Sequence, residues 1–254
     1  MLPSNSLMHV KICGLTNLDD TLAAIDAGAD YLGFNFYPPS PRYITPQACA
    51  RIVGQLAQRG ARVTTVGVFV NRAPAEVAAM LDDCGLDLAQ LHGDERSEQL
   101  GMLRGRAFKA VRDAATLTSG DLAALSLLSS GRQRGDRGPG DAAATRDTTD
   151  GHLPARPAFL LDAQVPNAYG GTGRLADWDL AAALAAQYPI FLAGGLTPAN
   201  VATAIEQVRP WGVDVASGVE AAPGMKDHAK VSAFVQAANQ ATAALPSRLG
   251  ATKG

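Results

Sequence analysis

The sequence predicts a single (β/α)8 TIM barrel, an α/β fold in which eight parallel strands alternate with helices. Short apolar runs rich in Val, Ile, Leu and Phe recur along the chain, and segments with helical spacing lie between them. The length of 254 residues is close to the roughly 250 residues of a typical barrel. A doubly wound open sheet is the alternative, but it would need fewer strands and usually a phosphate loop after the first one.

Eight apolar runs are predicted to be strands. Their apolarity is continuous rather than alternating, which is typical of parallel strands buried on both faces. The runs are His9–Cys13, Tyr31–Phe36, Thr64–Val70, Asp87–Leu91, Phe108–Val111, Phe159–Leu161, Ile190–Ala193 and Val213–Ala216.

Capping residues mark several of the helices between these runs. Asn17 is a suitable N-cap for a helix over 18–27, which Gly28 ends. Pro74 opens a helix that Gly85 closes. Helical spacing is also present at 179–187, 200–208 and 227–238.

One segment interrupts the alternation of strands and helices, between the fifth helix and the sixth strand. In residues 131–157, Leu153 is the only large apolar side chain. Such a stretch buries too little surface to offset its ordering entropy. We therefore expect a single catalytic domain over residues 8–240, with a disordered insertion at about 130–157 and flexible tails at 1–7 and 241–254. The insertion is either a tolerated loop on the bottom face or an arm that binds a regulator or partner.

Composition excludes several classes of function. A hydrophobic fraction of 47% suits a buried core, and a net charge of −2 gives no electrostatic case for nucleic acid. No apolar run approaches the roughly 18 residues of a membrane span, and the first residues do not resemble a signal peptide. The three cysteines have no zinc-like spacing and are expected to be reduced. We expect a cytoplasmic protein with no metal and no membrane partner.

Two polar residues end apolar strands and form the candidate catalytic pair. Cys13 ends the first predicted strand and Asp162 follows the sixth. Strand C-termini form the catalytic face of a barrel, where a thiol and a carboxyl can act as base and acid. Their ordinary pKa values, about 8.5 and 3.9, favour thiol and carboxylate at neutral pH, the reverse of those roles. Burial and substrate charge must therefore bring the two pKa values closer together. A small core residue is the alternative for Cys13.

Glycine-rich strand ends predict phosphate binding. Gly194 and Gly195 follow the seventh strand, and Ser217 and Gly218 follow the eighth. Loops after these two strands often bind phosphate through backbone N–H groups. Gly171, in the Gly-rich run after the sixth strand, could belong to a flexible cover.

The ordered set of motifs resembles the phosphoribosylanthranilate isomerase family from about residue 10 to about residue 238. The set is Lys-Ile-Cys-Gly-Leu-Thr-Asn from 11, Gly-Phe-Asn-Phe-Tyr-Pro-Pro-Ser-Pro-Arg from 33, Val-Gly-Val-Phe-Val-Asn from 66, Gln-Leu-His-Gly-Asp from 90, Gly-Gly-Thr-Gly from 170, Ala-Gly-Gly-Leu from 193, Asp-Val-Ala-Ser-Gly-Val-Glu from 214 and Pro-Gly-Met-Lys-Asp from 223.

The resemblance implies an Amadori rearrangement in L-tryptophan biosynthesis. The family converts N-(5-phosphoribosyl)anthranilate to 1-(2-carboxyphenylamino)-1-deoxyribulose 5-phosphate, with no metal or organic cofactor. An acid protonates the ribose ring oxygen, the ring opens to a Schiff base, and a base removes the C2 proton. The expected partner is therefore a small phosphosugar, and the protein is expected to be a monomer or a homodimer.

The same resemblance assigns roles to residues. It gives the acid to Asp162, the base to Cys13 and the anthranilate carboxylate to Arg42, whose guanidinium fork suits a planar carboxylate. A solvated loop arginine is the alternative for Arg42. His92 either touches the ribose or is a polar strand end. Lys11 and Asp214 are expected to support the site.

Two arginines depart from the family pattern. Arg112 ends the fifth strand where a small or apolar residue is expected, and it either adds charge to the site or turns outward. Arg174 stands where a lysine is often seen. Both put substrate affinity in doubt rather than the activity.

Other barrel enzymes fit less well. An indole-3-glycerol phosphate synthase would need a pattern of catalytic lysines and a glutamate that is absent, and a thiamine phosphate synthase would need acidic magnesium ligands. A barrel that also serves histidine biosynthesis would have an aspartate at position 13. A phosphosugar-binding module without catalysis would lack Cys13 or Asp162, and both are present.

Overall fold

The computed structural model of the chain describes residues 8–112, 117–129, 156–162 and 178–245. Residues 130–155 of the predicted insertion lie outside this part of the chain, as do Gly171 and Arg174. In the described part, no helix is both long and apolar enough to cross a membrane.

The eight predicted strands are confirmed and form a closed parallel barrel in which each strand pairs with the next. The first strand pairs with the eighth, with Lys11 opposite Asp214 in the register, and this pairing closes the ring. The strands are β1 His9–Cys13, β2 Tyr31–Asn35, β3 Thr64–Phe69, β4 Leu88–Leu91, β5 Ala107–Val111, β6 Phe159–Asp162, β7 Ile190–Ala193 and β8 Gly212–Val215.

A helix follows every strand of the barrel. The helices are α1 Leu18–Asp26, α2 Pro46–Gln58, α3 Pro74–Cys84, α4 Ser97–Met102, α5 Ser119–Ser129, α6 Trp178–Ala185, α7 Val201–Val208 and α8 His228–Ala244.

Local chemistry sets several helix ends as the sequence predicts. The Asn17 side chain accepts a hydrogen bond from the Asp20 backbone N–H and caps α1. Pro74 occupies the first turn of α3, and Gly85 ends that helix in the left-handed conformation at φ 67°. Helix α8 runs past the expected domain end at residue 240, because Ala241 is still buried and continues its apolar face.

Two apolar clusters hold the barrel together. The larger one lies between the strands and the helices, and includes Leu32, Phe34 and Phe234. The smaller one takes the alternate strand residues, such as Leu160 and Phe191, and fills the barrel interior. The upper end of the interior, at the strand C-termini, is left to polar residues.

A small hairpin between β8 and α8 is a feature that the sequence did not predict. A single turn of 3-10 helix at Ser217–Val219 leads into β9 (Glu220–Ala222), which pairs antiparallel with β10 (Met225–Lys226). Strands of three and two residues are too short to show an apolar period. A Cβ on Gly224, at the hairpin turn, would lie 2.7 Å from Pro41 O. The hairpin therefore packs against the loop after β2.

Candidate active site

A cleft of about 210 Å³ opens at the carboxyl ends of the strands. Its walls come from β1, the loop after β2, β4, β6, β7 and β8. It brings together Cys13, Asp162, Arg42, His92, Gly194, Gly195, Ser217 and Gly218, all predicted as site residues, and adds Asn35 and Gln90. The topology explains this convergence, because the C-terminal ends of parallel strands meet at one face of the barrel.

Cys13 lies at the end of β1, buried to 9% exposure at the cleft floor. Its neighbour in β2 is Gly33. A Cβ on Gly33 would lie 2.7 Å from Cys13 Sγ, so glycine makes the space that the thiol occupies. Burial raises the pKa of the Cys13 thiol, and the ammonium of Lys11 partly opposes that rise.

Lys11 and Asp214 form an ion pair inside the barrel. Lys11 Nζ donates to Asp214 Oδ1 at 2.8 Å, and the two side chains are 0% and 9% exposed. Burial lowers the pKa of Lys11, but Asp214 and the Cys13 thiol together more than reverse this, so the pKa of Lys11 is raised. The charged ammonium thus lies beside the thiol, one strand layer further into the barrel.

Asp162 lies across the cleft, close to His92. Asp162 Oδ2 is 3.7 Å from His92 Nε2, and both side chains are about one quarter exposed, at 25% and 27%. His92 Nδ1 is 2.9 Å from the Gln90 amide nitrogen. When that amide donates, Nδ1 is the acceptor and the ring proton is on Nε2, which faces the carboxylate. His92 is therefore in the cleft next to the proposed acid.

Arg42 enters the cleft from the loop after β2. That loop is braced by Asn35, whose amide donates to Ser40 Oγ at 3.2 Å, while the Arg42 backbone N–H donates to the same hydroxyl at 3.2 Å. A Cβ on Gly14 would lie 2.6 Å from Arg42 Cδ. Gly14 has φ 79°, a left-handed conformation that glycine adopts without strain. The arginine stem therefore packs directly beside the residue that follows Cys13.

Glu220, which the sequence analysis did not single out, holds the Arg42 guanidinium. Arg42 Nε and Nη2 each donate to one carboxylate oxygen of Glu220, both at 2.7 Å. Lys226 Nζ donates to Glu220 Oε1 and to the Ala216 carbonyl, both at 3.0 Å. Burial alone would raise the pKa of Glu220, but the bonds from Arg42 and Lys226 outweigh it and leave the pKa below its ordinary value.

The loops after β7 and β8 present backbone rather than side chains. Gly194 and Gly195 have φ of 93° and 64°. Asn200 accepts from the Thr197 N–H at 2.7 Å and donates to the Gly195 carbonyl at 3.0 Å, which fixes the first loop. A Cβ on Gly218 would collide with the carbonyl oxygen of Leu196, so the two loops are in close contact.

A second buried ion pair supports the strand ends beside the cleft. Lys109 Nζ donates to Glu95 Oε2 at 2.8 Å and to the Gly93 carbonyl. Glu95 accepts in turn from the backbone N–H groups of Asn71 and Gly93, at 2.7 and 2.8 Å. The sequence does not predict this pair, because Lys109 stands within an apolar strand and no pattern marks its partner.

Arg112 does not belong to the lining of the cleft. Its guanidinium pairs with Asp94 at 2.9 Å, and the two side chains are 58% and 79% exposed. Arg112 therefore turns outward, which is one of the two alternatives that the sequence left open.

The other two cysteines pack as core residues. Cys49 in α2 and Cys84 in α3 are buried free thiols. Within the described residues there is no group of three or more His, Cys, Asp or Glu side chains that could hold a metal ion.

Comparison with known protein families gives one match along most of the chain. Residues 10–126 and 149–237 match the family described as N-(5'phosphoribosyl)anthranilate (PRA) isomerase. An N-(5'-phosphoribosyl)anthranilate isomerase of Pelobacter propionicus is 44% identical over 234 residues, which cover 92% of this chain and 97% of the relative. The enzyme of the same name from Geobacter sulfurreducens is also 44% identical and covers 91% of this chain and 98% of its own.

Solved structures agree with the sequence relatives. A crystal structure of phosphoribosyl anthranilate isomerase from Thermotoga maritima is 37% identical, covers 92% of this chain and 99% of its own, and has a TM-score of 0.70. A structure of a phosphoribosyl anthranilate isomerase in complex with reduced 1-(o-carboxyphenylamino)-1-deoxyribulose 5-phosphate is 34% identical, with 92% and 99% coverage and a TM-score of 0.68.

Proposed function

The chain belongs to the N-(5'-phosphoribosyl)anthranilate isomerase family of tryptophan biosynthesis, and we propose that its cleft carries out the family's Amadori rearrangement through Cys13 and Asp162. The substrate is N-(5-phosphoribosyl)anthranilate and the product is 1-(2-carboxyphenylamino)-1-deoxyribulose 5-phosphate. The two are isomers, so the reaction needs proton transfers and no net oxidant or reductant.

Asp162 is the proposed acid. It gives a proton to the ribose ring oxygen, and the nitrogen lone pair forms the C=N bond of a Schiff base as the C1–O bond breaks. His92 borders this carboxyl group, with its Nε2 3.7 Å from Asp162 Oδ2. The cleft position at the end of β6 gives the carboxyl access to a bound sugar.

Cys13 is the proposed base. Its thiolate removes the proton at ribose C2, and the electron pair of that C–H bond forms a C1–C2 double bond. The C=N electron pair returns to the N-protonated Schiff-base nitrogen, which becomes a neutral amine. The resulting enol tautomerises to the ketose. Burial makes the Cys13 thiolate scarcer at neutral pH, and the ammonium of Lys11 favours it. A thiolate with a raised pKa is also a stronger base towards a carbon acid.

The remaining groups bind the two ends of the substrate. We propose that Arg42 pairs with the anthranilate carboxylate, since a guanidinium matches a carboxylate in a planar, two-bond geometry. The backbone of Gly194, Gly195, Ser217 and Gly218 is proposed to receive the phosphate. The place of Gly171 in a flexible cover and the effect of Arg174 on substrate affinity stay predictions.

The observation that carries the proposal is the meeting of Cys13 and Asp162 in one cleft of a chain with this family match. The test is the decay of anthranilate fluorescence after the substrate is generated in situ, with wild type, Cys13→Ser and Cys84→Ser. We expect rapid decay for wild type and for Cys84→Ser, whose buried thiol does not line the cleft, and a decrease of about 10²-fold or more for Cys13→Ser.

The other outcomes have distinct meanings. No decay with folded wild type would overturn the isomerase activity and favour a phosphosugar-binding module. Equal decay in wild type and Cys13→Ser would keep the reaction but remove Cys13 from its role.

Broader properties follow from the same family membership. We propose a cytoplasmic enzyme with one catalytic domain over residues 8–240, acting as a monomer or a homodimer. A structure of monomers derived from the dimeric Thermotoga maritima enzyme is 35% identical, covers 91% of this chain and 98% of its own, and has a TM-score of 0.66. This supports both oligomeric states, and light scattering on the purified chain decides between them.

A further inference from the structure

We propose that Glu220 is a positioning residue that fixes which edge of the Arg42 guanidinium meets the carboxylate of the substrate. The inference rests on the role proposed above for Arg42. It starts from an unusual feature of the cleft, namely that a residue expected to bind a carboxylate already binds one from its own chain.

The pairing leaves the guanidinium able to bind a second carboxylate. A guanidinium has five N–H groups and two edges that can each form a pair of parallel hydrogen bonds. Glu220 uses the edge made by Nε and Nη2, with both bonds at 2.7 Å. The other edge, made by Nη1 and the second Nη2 hydrogen, is the one we assign to the substrate. Glu220 thus orients the arginine without replacing the ligand.

The carboxylate that does this is itself held rigidly. The side chain of Glu220 is 5% exposed, and its second cationic partner, Lys226, has a fully buried side chain. Lys226 is anchored to the Ala216 carbonyl at the end of β8, and its backbone N–H donates to Asp20 Oδ2 at 2.9 Å. The hairpin is therefore fixed to the barrel wall through Lys226, and Glu220 on the same hairpin fixes the arginine.

The charges of the cluster formed by Arg42, Glu220 and Lys226 also favour binding of a second carboxylate. Two cations, Arg42 and Lys226, share the single carboxylate of Glu220. Burial lowers the pKa of Lys226, and its hydrogen bond to Glu220 opposes that shift. With both cations charged, the cluster carries one positive charge, so an added carboxylate is attracted even though an anion is already present. A lone arginine on a loop would instead sample many rotamers and lose more entropy on binding.

The test compares two ligands that differ only in the carboxylate. The first is the reduced product analogue, 1-(o-carboxyphenylamino)-1-deoxyribulose 5-phosphate in reduced form, and the second is its aniline counterpart. Inhibition constants are measured for wild type, Glu220→Gln and Glu206→Gln, the same change at an exposed position on α7. We expect Glu220→Gln to weaken the first ligand by about tenfold and the second by less than about twofold. Glu206→Gln should change neither.

A double-mutant cycle separates positioning from structural support. In the Arg42→Ala background, Glu220→Gln should add less than about twofold to the loss of affinity for the carboxylate-bearing ligand. Glu220→Asp, which keeps the charge, provides a second variant if Glu220→Gln folds poorly. Its shorter side chain should also lower affinity for the first ligand selectively.

Two results would overturn the inference. One is an equal loss for both ligands, which would make Glu220 a general support of the cleft, and the other is a full Glu220→Gln effect in the absence of Arg42. Wild-type activity in the fluorescence assay is measured in parallel. If wild type is active and the cycle shows no coupling, the positioning role fails and the proposed function stands. If wild type is inactive, the proposed function itself has failed.

Discussion

Lys11 donates a 2.8 Å hydrogen bond to Asp214 inside the closed barrel, one strand layer from the Cys13 thiol. The two charges act on the thiol in opposite directions, because the ammonium lowers the pKa of Cys13 and the carboxylate raises it. Burial is the largest influence on that pKa, and since Cys13 is the proposed base, the pair adjusts how much thiolate is available at a given pH.

Changing either partner should move the pH dependence of catalysis in a predictable direction. Lys11→Met removes the charge that favours the thiolate, so the rising limb of kcat/KM should shift to higher pH. Asp214→Asn removes the charge that disfavours it, so the same limb should shift to lower pH over the pH range in which Lys11 keeps its proton. The measurement is kcat/KM between pH 6 and about 10. An unchanged limb, or a shift to lower pH, for Lys11→Met would show that the ammonium does not tune Cys13 by charge.

Asp162→Asn should abolish the proposed acid and leave the fold intact. The amide keeps the shape of the side chain but cannot give up a proton at the ring oxygen, so kcat should fall by about 10²–10⁴-fold. The midpoint of thermal unfolding should change little, because the amide has nearly the same size as the carboxyl group and can still form hydrogen bonds. The matched control is Asp94→Asn, an exposed carboxylate paired with Arg112. Wild-type kcat for Asp162→Asn would rule out its role as the acid.

Gly33→Ala tests whether space for the thiol is essential. The added methyl would lie 2.7 Å from Cys13 Sγ and 3.0 Å from its Cα, so the end of β1 must shift. We expect a loss of about 1–3 kcal/mol in the free energy of unfolding and a larger proportional loss of kcat. Gly54→Ala in α2 is the control, because nothing lies within 4 Å of its added methyl. That variant should be unchanged or more stable by up to about 1 kcal/mol.

The Glu95–Lys109 pair should make the fold sensitive to acid. Burial would raise the pKa of Glu95, but its hydrogen bonds from Lys109 and from backbone N–H groups lower it below the ordinary value. A depressed folded-state pKa gives stability that is fully present above the unfolded-state pKa, about 4.3, and lost as the pH falls through the lower folded value.

Glu95→Gln should therefore lower the free energy of unfolding by about 3 kcal/mol at pH 7, with the difference from wild type shrinking below about pH 4. Denaturant titrations at pH 7, 5 and 3.5 measure this. Glu76→Gln is the control, since its pair with Arg72 is 3.7 Å long and 61% exposed at the glutamate, and exposed pairs contribute below about 1 kcal/mol. A pH-independent difference for Glu95→Gln would contradict the assignment.

The parts of the fold that sequence reasoning predicted are those with local causes. Asn17 caps α1 through a bond to Asp20, three residues away, and continuous apolar runs mark each buried strand. The cleft followed from topology, because residues such as Cys13 and Asp162 that end parallel strands must share one face. Neither step needs knowledge of which side chains pair.

What the sequence could not predict depends on long-range pairing. Arg42 and Glu220 are 178 residues apart, and nothing near either residue indicates that one binds the other. The strands of the hairpin that carries Glu220 are too short to show an apolar period. Glu95 likewise becomes significant only because β5 brings Lys109 to it. Which side chains pair at the site is decided by the closed barrel and not by any single segment.

The order in which the chain is synthesised gives the hairpin a further consequence. Cys13, Lys11 and Arg42 are made first, but their partners Asp214 and Glu220 follow 203 and 178 residues later. A nascent chain that ends before β8 has the proposed base and the proposed carboxylate-binding arginine without the groups that set their charge and direction. We therefore expect competence for catalysis to be coupled to completion of the ring, so that a chain ending before β8 lacks activity.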